Sequence, residues 1–103
     1  MYARVTRYRT GAGATNVAEQ VRSRVEWGFY PQYLVNAPGF RGYFIVDLGE
    51  NDGGREIAAF SLWDDRAAAE RSIGQAESFV REHLGDLLVE TLQSSTGEVF
   101  FAR

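Results

Sequence analysis

The stretch AESFVREHL, residues 76–84, holds the single histidine of the chain. Imidazole is the side chain most ready to take or give a proton near neutral pH, and it is the commonest metal ligand. Ala76, Phe79, Val80, His83 and Leu84 recur at i, i+3 and i+4, and that periodicity sets His83 on the apolar side of a helix. Three roles fit the placement: a general base or substrate contact, a metal or haem ligand, or a core-edge histidine bonded to a carbonyl or water. A lone histidine without a companion histidine or cysteine makes a poor metal site, so no metal is expected. Ser72 lies eleven residues earlier on the same stripe. That is about 16 Å along a straight helix, too far for a serine–histidine nucleophile pair. Ser72 reads as a small side chain that either leaves pocket volume or simply packs.

The segment VEWGFYPQYL brings Trp27, Phe29, Tyr30 and Tyr33 into seven residues. Positions 29 and 33, or 30 and 33, can share a helix face. These rings suit core or interface packing, or else the wall of a flat ligand site with a phenol hydroxyl as its polar handle. Trp63, at the end of a strand, and Phe79, on the histidine stripe, offer further wall. The candidate ligand contacts are therefore Trp27, Tyr30, Tyr33, Trp63, Ser72 and Phe79, with His83 the candidate catalytic group. Arg4, Arg7 and Arg41 could hold an anionic oxygen, although solvated charge is the simpler expectation for all three.

Composition closes several routes. No cysteine is present, which removes disulfides and thiolate chemistry, and all eleven basic residues are arginine, which removes lysine Schiff bases. A net charge of -3 with no basic stripe argues against a nucleic-acid partner. The glycine-rich GAGAT lacks a Walker lysine, and ENDGG lacks the ligand ladder of a calcium loop. No apolar run nears the roughly 20 residues that span a bilayer, so a cytoplasmic protein without a membrane partner is expected. The 103 residues suit one domain, 1–103.

The elements that must position these residues follow from periodicity. YARVTRYR (2–9), GYFIVDL (42–48), EIAAFSLW (56–63) and the closing VETLQSS and GEVFFA read as strands, with Gly97 a bulge or turn. Val17, Val21, Val25 and Gly28 mark a first helix, capped by Thr15 or by Asn16, which has capping-box spacing to Glu19. Pro31 predicts a kink or restart, Pro38–Gly39 a turn, and Asp-Gly the centre of a hairpin loop between the two middle strands. Asp64 or Asp65 caps a second helix, in which Gly74 marks a break. The order β-α-β-β-α-β is the ferredoxin-like α+β pattern, an antiparallel sheet with both helices on one face. In the strands, Tyr43 and Ile45 oppose Phe44, Val46 and Leu48. Likewise Ile57, Ala59 and Trp63 oppose Ala58, Phe60 and Leu62, and VFFA is apolar on both sides. Helices cover one face only. A second copy related by a two-fold axis is the simplest cover for the other, so a homodimer through the sheet faces is expected.

The stretches PGFRGYFIVD, FSLWDDRAAAERS and SFVREHLGDLL carry a resemblance to the antibiotic-biosynthesis-monooxygenase-type (ABM) domains of the dimeric α/β-barrel superfamily, over nearly the whole chain. The resemblance implies a pocket between helices and sheet in each subunit. It further implies a cofactor-independent monooxygenase acting on a small aromatic or quinol-type substrate, with His83 as base. A non-catalytic homodimer that binds a small hydrophobic molecule, or only scaffolds, is the other reading. The haem-degrading branch pairs an Asn on the first strand, a Trp in the second helix and an axial His at that helix's end. His83 has the axial spacing, twenty residues after Trp63, but Ser72 stands near the Trp position and the first strand has no Asn. No cofactor is therefore expected.

Overall fold

The computed structural model describes residues 1–51 and 53–103, with Asn51 described in its backbone only. Chain order is β1 (Tyr2–Thr10), α1 (Val17–Trp27), α2 (Tyr30–Asn36), β2 (Phe40–Asn51), β3 (Gly54–Trp63), α3 (Arg66–Phe79) and β4 (Leu88–Glu98). A π-helical turn, Val80–Leu84, continues α3. The strands form one antiparallel sheet in the order β2-β3-β1-β4. This is the expected ferredoxin-like fold, with α2 a short helix added after α1. The Asp-Gly hairpin centre includes Asp52, which lies outside the described residues.

Local chemistry explains most boundaries. Val17, Val21 and Val25 are the buried stripe of α1. The expected Asn16 capping box is absent: Asn16 takes a left-handed conformation (φ 51°) and its side chain makes no capping hydrogen bond. The restart anticipated at Pro31 is real, since α2 begins one residue earlier and Pro31 sits in its first turn, where a missing N–H costs nothing. Asp65 caps α3 by accepting from the Ala68 N–H at 2.8 Å. Gly39 makes the tight turn into β2 at φ +83°, and a Cβ there would come within 2.8 Å of Ala68 Cβ.

Gly74 does not break α3, which runs through it to Phe79. The irregularity comes five residues later, in the π-helical turn. A π-helical turn inserts one residue into the helical phase. The next buried position after Phe79 is therefore Leu84, five residues on, and not His83, four residues on. The expectation that His83 points inward fails for that reason, and its side chain is 41% exposed.

The two sheet faces separate by parity. Arg4, Thr6 and Tyr8 on β1, Tyr43 and Ile45 on β2, and Ile57, Ser61 and Trp63 on β3 lie under the helices. Ala3, Val5 and Arg7 on β1, Phe44 and Val46 on β2, and Ala58, Phe60 and Leu62 on β3 form the opposite face. β4 departs from the expected two-sided apolar strand. It places Gln93 and Ser95 beside Arg7 and Val5, so the outer face is polar at that edge. Gly97 lies inside the strand, and the register shifts fall between Arg7 and Tyr8 and between Arg9 and Thr10. Phe100 and Phe101 follow the strand and are 95% and 71% exposed.

Candidate functional site

A narrow cavity of about 30 Å³ lies between the helices and the sheet. Val21 and Val25 of α1, Tyr30 of α2 and Phe79 of α3 form its helical side. Arg4, Thr6, Tyr8, Tyr43, Ile57 and Ser61 form its floor. At that volume it holds roughly two water molecules. Two open depressions flank it and share its walls. One, about 390 Å³, lies on the α1 side and shares Tyr43 and Ile45. The other, about 400 Å³, runs between α3 with its π-helical turn and β4, and shares Arg4, Thr6 and Tyr8.

Tyr8, Tyr30, Tyr43 and Phe79 bring rings into a cavity otherwise lined mostly by aliphatic side chains. Tyr30 meets Phe79 at 4.7 Å between centroids and Tyr43 edge-on at 5.5 Å. Gly28 makes room for the Phe79 ring, because a Cβ there would collide with it. His83 stacks on Phe79 at 4.7 Å, so a row of rings leads from the exposed imidazole through Phe79 to Tyr30. The His83 Nε2 stands 4.0 Å from Glu82 Oε2.

Arg4 is the charged member. It is 5% exposed. Its Nη2 donates to Thr6 Oγ1 at 3.1 Å, while its buried Nε has no hydrogen-bond partner. It makes no ion pair among the described residues. The three phenols around it do not supply a counter-charge. Burial pushes the Tyr30 phenol up to about 12, against a smaller opposing pull from Arg4. Burial also raises Tyr43, further still, and raises Tyr8. All three remain neutral across the physiological range.

The residues proposed from sequence divide among three places. Tyr30 and Phe79 line the cavity. Tyr33, Trp63 and Ser72 border a separate open depression of about 550 Å³ beside α2. Trp63 is a core residue at 1% exposure, its Nε1 donating to Ser61 Oγ at 2.8 Å. Ser72 donates to the Ala69 carbonyl at 2.6 Å. Trp27 is 79% exposed, and neither it nor His83 lines the cavity. Arg7 and Arg41 are paired, with Glu56 at 3.1 Å and Asp64 at 2.7 Å. Arg4 is not the solvated charge that was expected. Tyr8, Tyr43, Thr6 and Ser61 went unmarked, although strand parity places them beside Arg4. Among the described residues no cluster of three or more metal-ligating side chains occurs, and no helix is long and apolar enough to cross a membrane.

Comparison with solved structures matches the fold over nearly the full length of the chain. A dimeric ferredoxin-like protein from an uncultured marine organism superposes with a TM-score of 0.66 at 16% identity, covering 100% of each chain. A candidate antibiotic biosynthesis monooxygenase from Bacillus cereus gives 0.62 at 13% identity, over 99% of this chain and 93% of that one. SnoaB, a cofactor-independent oxygenase from Streptomyces nogalater, gives 0.53 at 25% identity, over 99% and 92%. The fold is that of the ABM-like, dimeric ferredoxin-like proteins. No family model and no curated relative matches the chain. The expected resemblance therefore holds for the fold, and activity has to be argued from the cavity.

Proposed function

We propose that the chain is a small cofactor-independent monooxygenase that takes a planar phenol- or quinol-type substrate into the cavity between helices and sheet. The observation that carries this reading is the cavity itself: rings on both sides, and one buried cation among neutral phenols. Such a site suits a substrate that becomes an electron-rich anion. With an anthrone-like phenol the balance closes without an external reductant. The substrate loses a proton to solvent, and its anion passes electrons to O₂. One oxygen atom becomes a ring carbonyl, the other leaves as water, and the CH₂ carbon supplies all four electrons. The protein's part is to hold the ring, exclude water and stabilise the developing negative charge. His83 stands one ring away from the cavity, so its part is to back Phe79, a positioning role.

The outer face supports a second part of the reading, a homodimer. Val5, Phe44, Val46, Phe60 and Leu62 form an apolar patch on β1–β3, with Phe44 stacked on Phe60 at 4.8 Å and still 49% exposed. A twin subunit covers such a patch by symmetry.

The narrowness of the cavity favours one competing reading, a binding dimer without turnover. Oxygen uptake separates the two. With anthrone-like phenols the enzyme reading expects one O₂ consumed per substrate. Ala76→Leu, which fills the cavity from α3, is expected to lower kcat/KM at least tenfold, and His83→Ala to stay within about threefold. No uptake with any phenol or quinol that demonstrably binds would leave the binding dimer. Abolished uptake in a folded His83→Ala variant would return the imidazole to the chemistry.

A further inference from the structure

We propose that Arg4 is an anion receptor, that the cavity selects planar aromatic ligands carrying an ionised oxygen, and that these approach through the cleft between α3 and β4. The inference rests on the cavity being a ligand site and is independent of whether oxygen is consumed there.

The starting point is an imbalance. A guanidinium is a permanent cation with five donors, and placing one at 5% exposure without a carboxylate is unfavourable unless something answers it. Here one neutral hydroxyl, Thr6 Oγ1, accepts from Nη2, and Nε is buried with no acceptor. Arg9 also has an unpartnered Nε, but its terminal nitrogens face Glu56 and Glu90. Arg4 alone among the β1 arginines combines burial with the lack of an ion pair.

The surroundings say what completes it. Tyr8, Tyr30 and Tyr43 face Arg4 from β1, α2 and β2, and burial keeps each of them protonated. Glu77, exposed along the same cleft and near enough to act on Tyr8, makes no ion pair with Arg4, so a ligand is the source we assign to the missing negative charge. Apolar and aromatic side chains line the rest of the cavity, so the part of the ligand behind its charge is a flat ring. The cleft between α3 and β4 reaches Arg4 directly, whereas Arg4 does not line the depression on the α1 side. Exposed Arg81 and Glu77 stand along it, one of each sign, so the cleft itself does not repel an anion. A ring cannot fit in a volume of about 30 Å³, so binding has to spread Tyr30 from Phe79.

Two probes distinguish the ionised oxygens of phenol and carboxylate. 4-Nitrophenol reports its own ionisation by colour, and 2-naphthoate is compared with its neutral amide. The expected results are a lowered pKa for bound 4-nitrophenol and at least tenfold tighter binding of naphthoate than of naphthamide, a gap of roughly 1.4 kcal/mol. Arg4→Met should erase both effects, and Arg4→Lys should retain part of them. A response from one probe alone assigns the receptor to that oxygen chemistry. Arg4→Met is expected to melt higher than the parent without ligand, so failure to fold does not confound the comparison. Equal affinity for acid and amide with an unshifted nitrophenol pKa would overturn the inference. So would the same selectivity in Arg4→Met. Anion binding without oxygen uptake would leave the receptor standing and remove only the oxygenase reading.

Discussion

Strand β1 carries three arginines, and the sheet treats them in two ways. Arg7 and Arg9 lie on the outer face, where Arg7 Nη2 reaches Glu56 at 3.1 Å and Arg9 Nη1 reaches Glu90 at 3.4 Å. Arg7 also donates to Gln93 at 3.1 Å. These are partly exposed contacts that order the β1–β3 and β1–β4 pairings. Arg4, three residues before Arg7, turns under the helices and finds one hydroxyl. The same side chain is thus a structural tie on one face and an unanswered charge on the other. Charges that hold a fold are paired within it, whereas a charge left unpaired in the interior lowers stability, and that cost is why we assign Arg4 to binding. The apolar residues reverse the pattern. Those on the inner face are spent in the core around Ile57 and Trp63, and those on the outer face around Phe44 and Phe60 remain available.

Substitutions at neighbouring β3 positions should break this contrast most forcefully. Trp63→Ala empties a position that is 1% exposed and is expected to cost about 3–5 kcal/mol in urea unfolding. Leu62→Ala, one residue away on the outer face, should cost under about 1.5 kcal/mol in the isolated subunit, since its side chain is only partly covered there. Comparable losses would show that the outer face is already as well packed as the core. Phe44→Asp is the next largest effect. It should weaken self-association by about a hundredfold, roughly 2.7 kcal/mol, without lowering the helical signal. Light scattering should find the parent at twice the 11.5 kDa chain mass. A parent that stays at the single-chain mass at micromolar concentration would remove the dimer.

Arg4 and Glu56 sharpen the contrast with opposite signs. Arg4→Met removes a buried unpaired charge at similar volume and should raise stability by roughly 1–3 kcal/mol. Melting should move upward by several degrees. Glu56→Gln takes the carboxylate from Arg7 and Arg9, whose side chains are 37% and 32% exposed, and should lower stability by about 1 kcal/mol. Equal and opposite signs are not required, but the same sign for both would contradict the division of labour between the faces.

Strand alternation was legible enough to assign the fold and both faces of β2 and β3, and Pro31 marked the restart between α1 and α2. It did not assign β1, where YARVTRYR alternates arginine with tyrosine and valine on both parities. Only register with β3, Arg4 beside Ser61 and Arg7 beside Ala58, decides which arginine goes under the helices. The histidine failed for a different reason. The spacing Ala76, Phe79, His83 is helical, but the π-helical turn makes Phe79–Leu84 the buried pair, and no residue in VREHL announces an extra residue in the turn. Trp27, at the last position of α1, is off the valine stripe by half a turn from Val25, and composition alone made it a wall. The cavity was thus half legible: Tyr30 and Phe79 on its helical side came from pattern, while the floor of Arg4, Tyr8 and Tyr43 required the sheet.

The smallest expected effect concerns the inner face at high pH. Tyr8, Tyr30 and Tyr43 each hold their protons more firmly folded than unfolded, because burial penalises the phenolate. Above the ordinary phenol pKa of about 10 the unfolded chain loses these protons first, so the native state binds more of them and stability falls as pH rises. The contribution is complete below pH about 10 and is lost as pH climbs through the folded values, about 12 for Tyr30. Tyr30→Phe deletes one such phenol. Its stability relative to the parent should therefore improve by roughly 1 kcal/mol between neutral pH and pH about 11, read from urea midpoints at the two pH values. The surface pairs pull the other way at the acid end, where Arg55 holds Asp47 below the usual carboxylate range. A Tyr30→Phe difference that stays flat with pH would mean that the phenol reaches solvent. The cavity would then be open on the α2 side, and Arg4 would share it with water in place of a ligand.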